Sequence, residues 1–343
     1  MPSVTWKCPS NIALVKYWGK KGDQLPANPS LSFTLNNCHT ITNLSFTPKE
    51  NDGTLLVSFA YDGQPMPSFE PKLETFFNKI EKHFPFLPGY LIEINTTNTF
   101  PHSSGIASSA SGMGALALCL CSMEKEIGNK LTHDEFFQKA SMVARLGSGS
   151  ASRSVYGPLA MWGQSDIYDE SSDEYAIKVK NVDGIFKTFC DTILIVDDTK
   201  KSVSSSVGHS LLKDHPFASL RFEEANKNLV LLKNALANGD LELFTQVVEK
   251  EAMMLHAMMM TGDQYYLMMK PGTLAIIQKV WEHRKGLGLN MVITIDAGAN
   301  VHLLYPAEEK SKVVPFIVNE LAQYCAHGYY IHDHVGGGPE QMI

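Results

Sequence analysis

The stretch that most constrains this chain is Asn98 to Leu116, NTFPHSSGIASSASGMGAL. It opens polar and β-branched, passes Pro101, turns small and glycine-dotted, and then enters an apolar helical tract through Met113, Leu116, Ala117, Leu118 and Leu120. Small residues let the backbone come close to a bound group, and the first turn of a helix directs unpaired N–H groups outward, so such a junction suits an anion. No Gly-Lys-Ser/Thr ends it, so it is not a Walker loop. Ser108 and Ser109 instead place hydroxyls where that loop carries a lysine and a metal-binding hydroxyl. Taken alone, the run also reads as a serine-capped helix after a turn, so its meaning depends on the rest of the chain.

With 343 residues the chain is long enough for two domains, each with its own core. Hydrophobic content of 44% with 19% charged residues fits an ordinary soluble globular protein. The net charge of −7 argues against a general binder of nucleic acid or of anionic membranes, and an anionic ligand would need locally clustered cations. Cysteines at 8, 38, 119, 121, 190 and 325 include no C-x2-C pair, so a zinc site is not expected and buried free thiols in a reducing compartment are. The N-terminus has no apolar signal core, and no run approaches the roughly 20 apolar residues of a spanning helix. A cytoplasmic location is the expectation.

Residues 3 to 18 alternate like a strand and lead into the cationic turn Gly19-Lys20-Lys21-Gly22-Asp23. Lys16 stands between Val15 and Tyr17-Trp18, a setting of partial burial, and a half-buried lysine wants an anion. Strands are expected at 40–48, 54–60 and 90–95, and helical spacing through Leu73, Phe76, Phe77 and Ile80 predicts a helix over 72–83. Thr132-x-x-Glu135 is a capping box ahead of a helix that should stop near Gly147. There a second small-residue loop, LGSGSASRSVYG, carries one arginine, Arg153, a bidentate fork for anions. A buried strand is expected at 189–196 and marks a boundary between domains 1–187 and 188–343. Helices are expected at 216–238, 240–260, 271–286 and 308–327. The strand 291–295 ends in Asp296-Ala297-Gly298-Ala299-Asn300, a usual place for a catalytic carboxylate and equally for a structural Asp-Gly turn.

Four elements then line up: SNIALVKYWGK, PHSSGIASSASG, ARLGSGSASRS and DAGAN. Together they resemble the mevalonate diphosphate decarboxylase family, within the superfamily of small-molecule (GHMP) kinases, over nearly the whole chain. The serine-glycine loop points only to the superfamily, whereas KYWGK and the GSGSAxRS run point to the decarboxylase branch. The resemblance implies an α+β protein with a two-domain GHMP-kinase-like fold. Its N-terminal ATP-binding domain would be ribosomal-protein-S5-domain-2-like, and its C-terminal domain a ferredoxin-like α/β sandwich with helices on one side of the sheet. It implies ATP-dependent decarboxylation of mevalonate 5-diphosphate to isopentenyl diphosphate, with ATP and Mg2+ as cofactors and a homodimer as the assembly.

By the same resemblance, Pro101, Ser103, Ser104, Gly105, Ile106, Ala107, Ser108 and Ser109 wrap the ATP triphosphate, with Asn98 near the nucleotide and Ser108 and Ser109 reaching Mg2+. Asp296 would accept or orient the proton of the tertiary hydroxyl, Lys16 would neighbour it and the phosphoryl group, and Arg153 would hold the substrate carboxylate. Tyr17, Lys20, Ser148, Ser150 and Ser205 would bind the substrate diphosphate or line its pocket. The chain departs from the family's pattern at His102-Ser103-Ser104, at Ser152 ahead of Arg153, at His209 and at Ala299, and a basic diphosphate ligand from the helix near 72–79 is matched only by Lys72 or Lys79. Three readings follow: the diphosphate decarboxylase, a relative taking mevalonate 5-monophosphate or only phosphorylating the 3-hydroxyl, and a nucleotide-binding sensor without chemistry.

Overall fold

The first strand, β1 (Ser3–Val15), alternates in exposure up to Lys7 and is wholly buried from Cys8 onward, so one face is covered at its start and both at its end. The computed structural model describes residues 1–101, 106–199, 208–209, 212 and 214–342. Of the residues singled out above, His102, Ser103, Ser104, Gly105 and Ser205 lie outside the described residues. Beside β1 runs β2 (Ser30–Pro48), antiparallel, with register shifts between Pro9 and Asn11 and between Ala13 and Val15 that bend the pair. β3 (Leu56–Tyr61) lies parallel to β4 (Tyr90–Asn98), which pairs antiparallel with β2. β5 (Leu159–Trp162) pairs with the start of β2 and carries β6 (Ala176–Lys178) on its other edge.

Among the described residues, four α-helices pack in this half: α1 (Glu70–Ile80), α2 (Ser108–Glu126), α3 (His133–Gly147) and the single turn α4 (Ala151–Ser154). α2 is buried on nearly every side, which explains its Ala, Gly, Ser and Cys content: it lies directly on β1 and β2. At Gly114 an added Cβ would sit 2.5 Å from Cys8 Sγ, so helix and strand could not approach this closely with any other residue. The capping box forms as read, Thr132 accepting from the Glu135 amide and Glu135 from the Thr132 amide.

A second, antiparallel sheet has the order β8 (Val292–Ile295), β9 (Val301–Tyr305), β7 (Cys190–Leu194), β10 (Tyr330–His334). Its alternate residues serve two cores. Ile293, Ile295, Val301, Leu303 and Tyr305 cluster with α7 (Pro271–Leu287) and with the helical stretch after residue 310. Val292, Ile193, Ile195 and Leu304 cluster with Ile12, Leu14 and Phe33 of the first sheet, and with Leu229 and Phe244 of α5 (Ala218–Asn238) and α6 (Leu241–Thr261). The α+β class holds, and each half has an apolar cluster of its own, one around α2 and one around α7, with a further cluster between them. One apolar cluster is shared, because the period-2 pattern of β7 to β9 puts apolar residues on both faces.

Other differences have local reasons. The helix expected at 308–327 is broken into an α segment (Lys310–Phe316), a π segment (Ile317–Leu321) and short 3-10 turns, with Pro315 inside removing a donor from the ladder. The short β5, the polar β10 and the three-residue strand Glu340–Met342 carry too little pattern to be read, yet the last pairs with β1 and returns the chain to the first sheet.

Asp333 on β10 fastens the two sheets. Its buried carboxylate accepts from the amides of Asn36 (3.0 Å), Asn37 (2.8 Å) and Cys38 (2.7 Å) where β2 bulges. Leaving those amides without an acceptor is costly, so Asp333→Ala should lower unfolding free energy by roughly 3 kcal/mol. Urea unfolding checks this, and a loss under about 0.5 kcal/mol would mean that water replaces the carboxylate.

Candidate active site

Where β1 ends, the chain enters a cleft of about 210 Å³ between the halves. The strand expected to reach residue 18 stops at Val15 because side chains from elsewhere take the main-chain groups of Lys16. The Lys16 amide donates to Glu251 Oε2 (2.8 Å), and its carbonyl accepts from Asn28 Nδ2 (3.0 Å) and Arg221 Nη2 (3.3 Å). Glu251 also receives Arg221 through both terminal nitrogens (2.7 and 3.2 Å) and Asn228 Nδ2 (2.6 Å), with both charged side chains at 0% exposure.

The Lys16 ammonium is itself 2% exposed and donates to Asp296 Oδ1 at 2.6 Å, while Asp296 keeps 32% exposure toward the cleft. Burial pulls the Lys16 ionisation below its ordinary value, against the opposing pull of the Asp296 and Glu251 carboxylates, and Arg153 adds to the lowering. Asp296 follows β8, and its carbonyl is in hydrogen-bond contact with His256 Nε2 of α6 (3.1 Å).

Arg153 sits on α4 in the same cleft, buried, and its guanidinium donates to Ser32 Oγ (3.1 Å), Ser30 Oγ and Asn11 Oδ1 (3.3 Å). All three acceptors are neutral. Burial lowers its ionisation to about 10, with Asp296 and Tyr17 acting in the opposite sense. A guanidinium oriented by hydroxyl and amide oxygens is set in direction without its charge being cancelled, which suits a site for an incoming anion.

The remaining lining fits that reading. Lys20, Ser109, Ser148, Ser150 and Tyr17 all face the cleft. The Tyr17 hydroxyl is buried with no hydrogen-bond partner among the described residues. Gly149 lies under it, where a Cβ would come within 2.7 Å of the phenolic oxygen. Ser109 and Ser148 hydroxyls meet at 3.2 Å. Of the two lysines offered by α1, Lys72 lines the cleft, whereas Lys79 pairs with Asp23 at 2.6 Å.

Beside the cleft, a second pocket is lined by Asn98, Thr40, Phe59, Tyr61, Ile94, Ser108 and Ser109, with Lys72 shared between the two. α2 starts at Ser108, after Ala107 in a left-handed conformation (φ 47°) that turns the chain into the helix. Asn98 accepts from Thr40 at 2.7 Å. Pro101 is exposed, while the Ile106 side chain is buried in the shared core with its carbonyl accepting from Ser10 Oγ.

Several residues at the site were not anticipated: Asn11, Asn28, Arg221, Asn228, Glu251 and His256, and His209 in a role. Arg221 and Glu251 did leave a signal, since each takes a core position in an otherwise apolar helical stripe (Arg221, Ala225, Leu229, Leu232; Phe244, Val248, Glu251, Leu255). His209 packs against Tyr17 and Trp18 (ring centroids 4.3 and 4.9 Å) and accepts from the Gly19 amide (3.1 Å), and burial lowers its ionisation to about 3.

Two family models match the chain in succession: a diphosphomevalonate decarboxylase-like N-terminal domain over residues 8–175 and a mevalonate 5-diphosphate decarboxylase C-terminal domain over 192–341. The diphosphomevalonate decarboxylase of Ganoderma lucidum is 27% identical over 341 residues, 93% of this chain and 82% of that protein. That of Saccharomyces cerevisiae is 28% identical over 331 residues, 92% of this chain and 80% of its own. Among solved structures, mevalonate diphosphate decarboxylase from Staphylococcus aureus superposes with a TM-score of 0.85 at 26% identity, covering 99% of this chain and 98% of that one. A structure of MDDEF in complex with MVAPP, AMPPCP and magnesium gives 0.83 at 25% identity, covering 99% and 98%. The cleft that joins Lys16, Arg153 and Asp296 therefore lies in a chain that both its sequence and its fold place in a single group, and it belongs to the mevalonate diphosphate decarboxylase family.

Proposed function

We propose that this protein converts mevalonate 5-diphosphate and ATP to isopentenyl diphosphate, ADP, phosphate and CO2. The observation that carries the reading is the pairing across one cleft of Asp296, tied to a buried lysine, with Arg153, whose hydrogen bonds go to neutral acceptors. That MDDEF binds MVAPP, AMPPCP and magnesium in the same fold supports it.

The chemistry assigns each group a task. The tertiary 3-hydroxyl is a hindered acceptor, so Asp296 orients it and takes its proton late as the γ-phosphoryl group moves. Lys16 pairs with the Asp296 carboxylate and offsets negative charge gathering at the transferred group. When the C–O bond to the phosphorylated oxygen breaks, phosphate leaves with the electron pair and positive charge develops at the tertiary carbon. The bond to the carboxylate then supplies the pair for the new double bond and CO2 departs. Arg153 holds that carboxylate in line without bonding covalently to it. Tyr17, Lys20, Ser148 and Ser150 take the substrate diphosphate, and Lys72 joins them as the basic residue of α1.

ATP fits the junction at α2: its phosphates meet the helix start at Ser108 and its base the adjoining pocket near Asn98. Among the described residues no group of three His, Cys, Asp or Glu is placed to hold a metal. The hydroxyls of Ser108 and Ser109 suit Mg2+ that arrives with phosphates, since that ion keeps several waters and takes few protein oxygens. Bound there, the ion would neutralise phosphate charge. The roles of Ser103, Ser104, Gly105 and Ser205 belong to this reading on sequence grounds alone. So do the homodimer, the cytoplasmic location and the division into 1–187 and 188–343, the last supported by family matches that end at 175 and resume at 192. Among the described residues, no helix is long and apolar enough to cross a membrane.

Stoichiometry is the first test. Equal ADP, phosphate and CO2 from mevalonate 5-diphosphate, reduced by roughly 10³-fold or more in Asp296→Asn, is expected; ADP alone would mean a kinase, and turnover only of the monophosphate would shift the substrate. Tyr17→Phe should raise KM for the diphosphate several-fold while leaving the free protein as stable or about 1 kcal/mol more so, because it removes a buried hydroxyl that lacks a partner. An unchanged KM would remove Tyr17 from the substrate site. Because burial lowers the Lys16 ionisation, turnover should fall as pH rises through a limb below 10.5, the ordinary lysine value, and a limb at or above it would show that Lys16 need not stay protonated.

A further inference from the structure

Two helices of the second half reach into the first to hold the backbone of a single residue. We infer that Glu251 is a positioning residue for Lys16, its carboxylate fixing the main chain so that the lysine side chain points at Asp296. The inference rests on the reading of Lys16 and Asp296 given above.

The geometry separates this role from ordinary packing. β1 ends at Val15, so Lys16 has left the ladder that would otherwise hold its amide. A buried N–H that lacks an acceptor is strongly disfavoured, and among the described residues the Lys16 amide finds its acceptor in Glu251 Oε2 at 2.8 Å. The Lys16 carbonyl is held from the opposite side by Asn28 (3.0 Å) and Arg221 (3.3 Å), the latter being the partner that pairs with Glu251. Both ends of the residue are therefore pinned through one hydrogen-bonded group, with Asn228 closing the remaining side of the carboxylate (2.6 Å). With N–H and C=O fixed, the direction in which the Lys16 side chain leaves the backbone is set, and its ammonium meets Asp296 at 2.6 Å with the side chain only 2% exposed.

A buried Arg–Glu pair is not by itself a strong source of stability, since apolar residues of similar size often replace one without loss. What apolar residues cannot replace is the acceptor for the Lys16 amide. Glu251 also adds negative charge near the ammonium, and it lies on α6, the helix whose His256 contacts the carbonyl of Asp296. One helix thus touches the backbone of both partners in the ion pair.

Two double variants decide the matter. Glu251→Gln with Arg221→Met removes both charges but retains a carbonyl oxygen for the amide; Glu251→Leu with Arg221→Met removes the acceptor as well. Both avoid an unpaired buried charge, and urea unfolding checks that they fold alike. The expected result is that the first keeps kcat within about threefold of wild type, while the second loses roughly 100-fold in kcat with KM for ATP unchanged. A second readout needs no turnover: the Lys16 ammonium signal in 1H–15N spectra, sharpened by the ion pair, should persist in the first variant and vanish in the second. Equal kcat and equal ammonium signals in the two would overturn the inference and leave the pair a packing element. Absence of wild-type turnover on mevalonate 5-diphosphate would instead remove the proposed function, and the spectra would still decide the positioning.

Discussion

The ion pair between Lys16 and Asp296 is the contact on which the arrangement of the site depends. Its partners are separated by most of the chain and follow strands of different sheets, and the lysine is buried where an unpaired ammonium would be strongly disfavoured. The structure meets that cost by surrounding Lys16 with negative groups and by holding its backbone with Glu251, Arg221 and Asn28. The cleft is thus a consequence of how the two halves are joined.

Three further links strengthen the join. An apolar cluster runs from Ile12 and Phe33 through Phe189 and Phe244, Asp333 caps the bulge of β2, and the final strand pairs with β1. The cleft built on such a join draws its walls from both halves at once. That suits a reaction in which alignment of phosphoryl group, hydroxyl and carboxylate supplies most of the rate. Charge is arranged with equal economy: on a chain of net charge −7, Lys16, Lys20, Lys72 and Arg153 gather on one cleft that also carries Asp296.

Much of this is legible in the sequence. The capping box at Thr132, the apolar stripes of α5 to α7 and the alternation of β1 are local patterns, and each was observed close to where it was read. The small-residue loop ahead of α2 and Arg153 at the end of the second such loop stood out in the sequence only as candidate anion sites, since a serine-capped helix start and a linker read the same way when taken alone. β10, the strand Glu340–Met342 and the broken helix after Pro315 were not legible, since their form is imposed by neighbours.

What the sequence determined by itself was part of the inventory: which of the long periodic segments are helices and strands, which carry small residues beside serines, and that one aspartate ends a buried strand. These follow from short-range sterics and hydrophobic periodicity, which act within a few residues. Only the tertiary structure decided which lysine of α1 reaches the cleft, that Arg153 is held by neutral acceptors, and that Glu251 grips the amide of Lys16 from 235 residues away. Those are matters of desolvation and hydrogen-bond satisfaction between distant segments, and they take effect only once packing has excluded water.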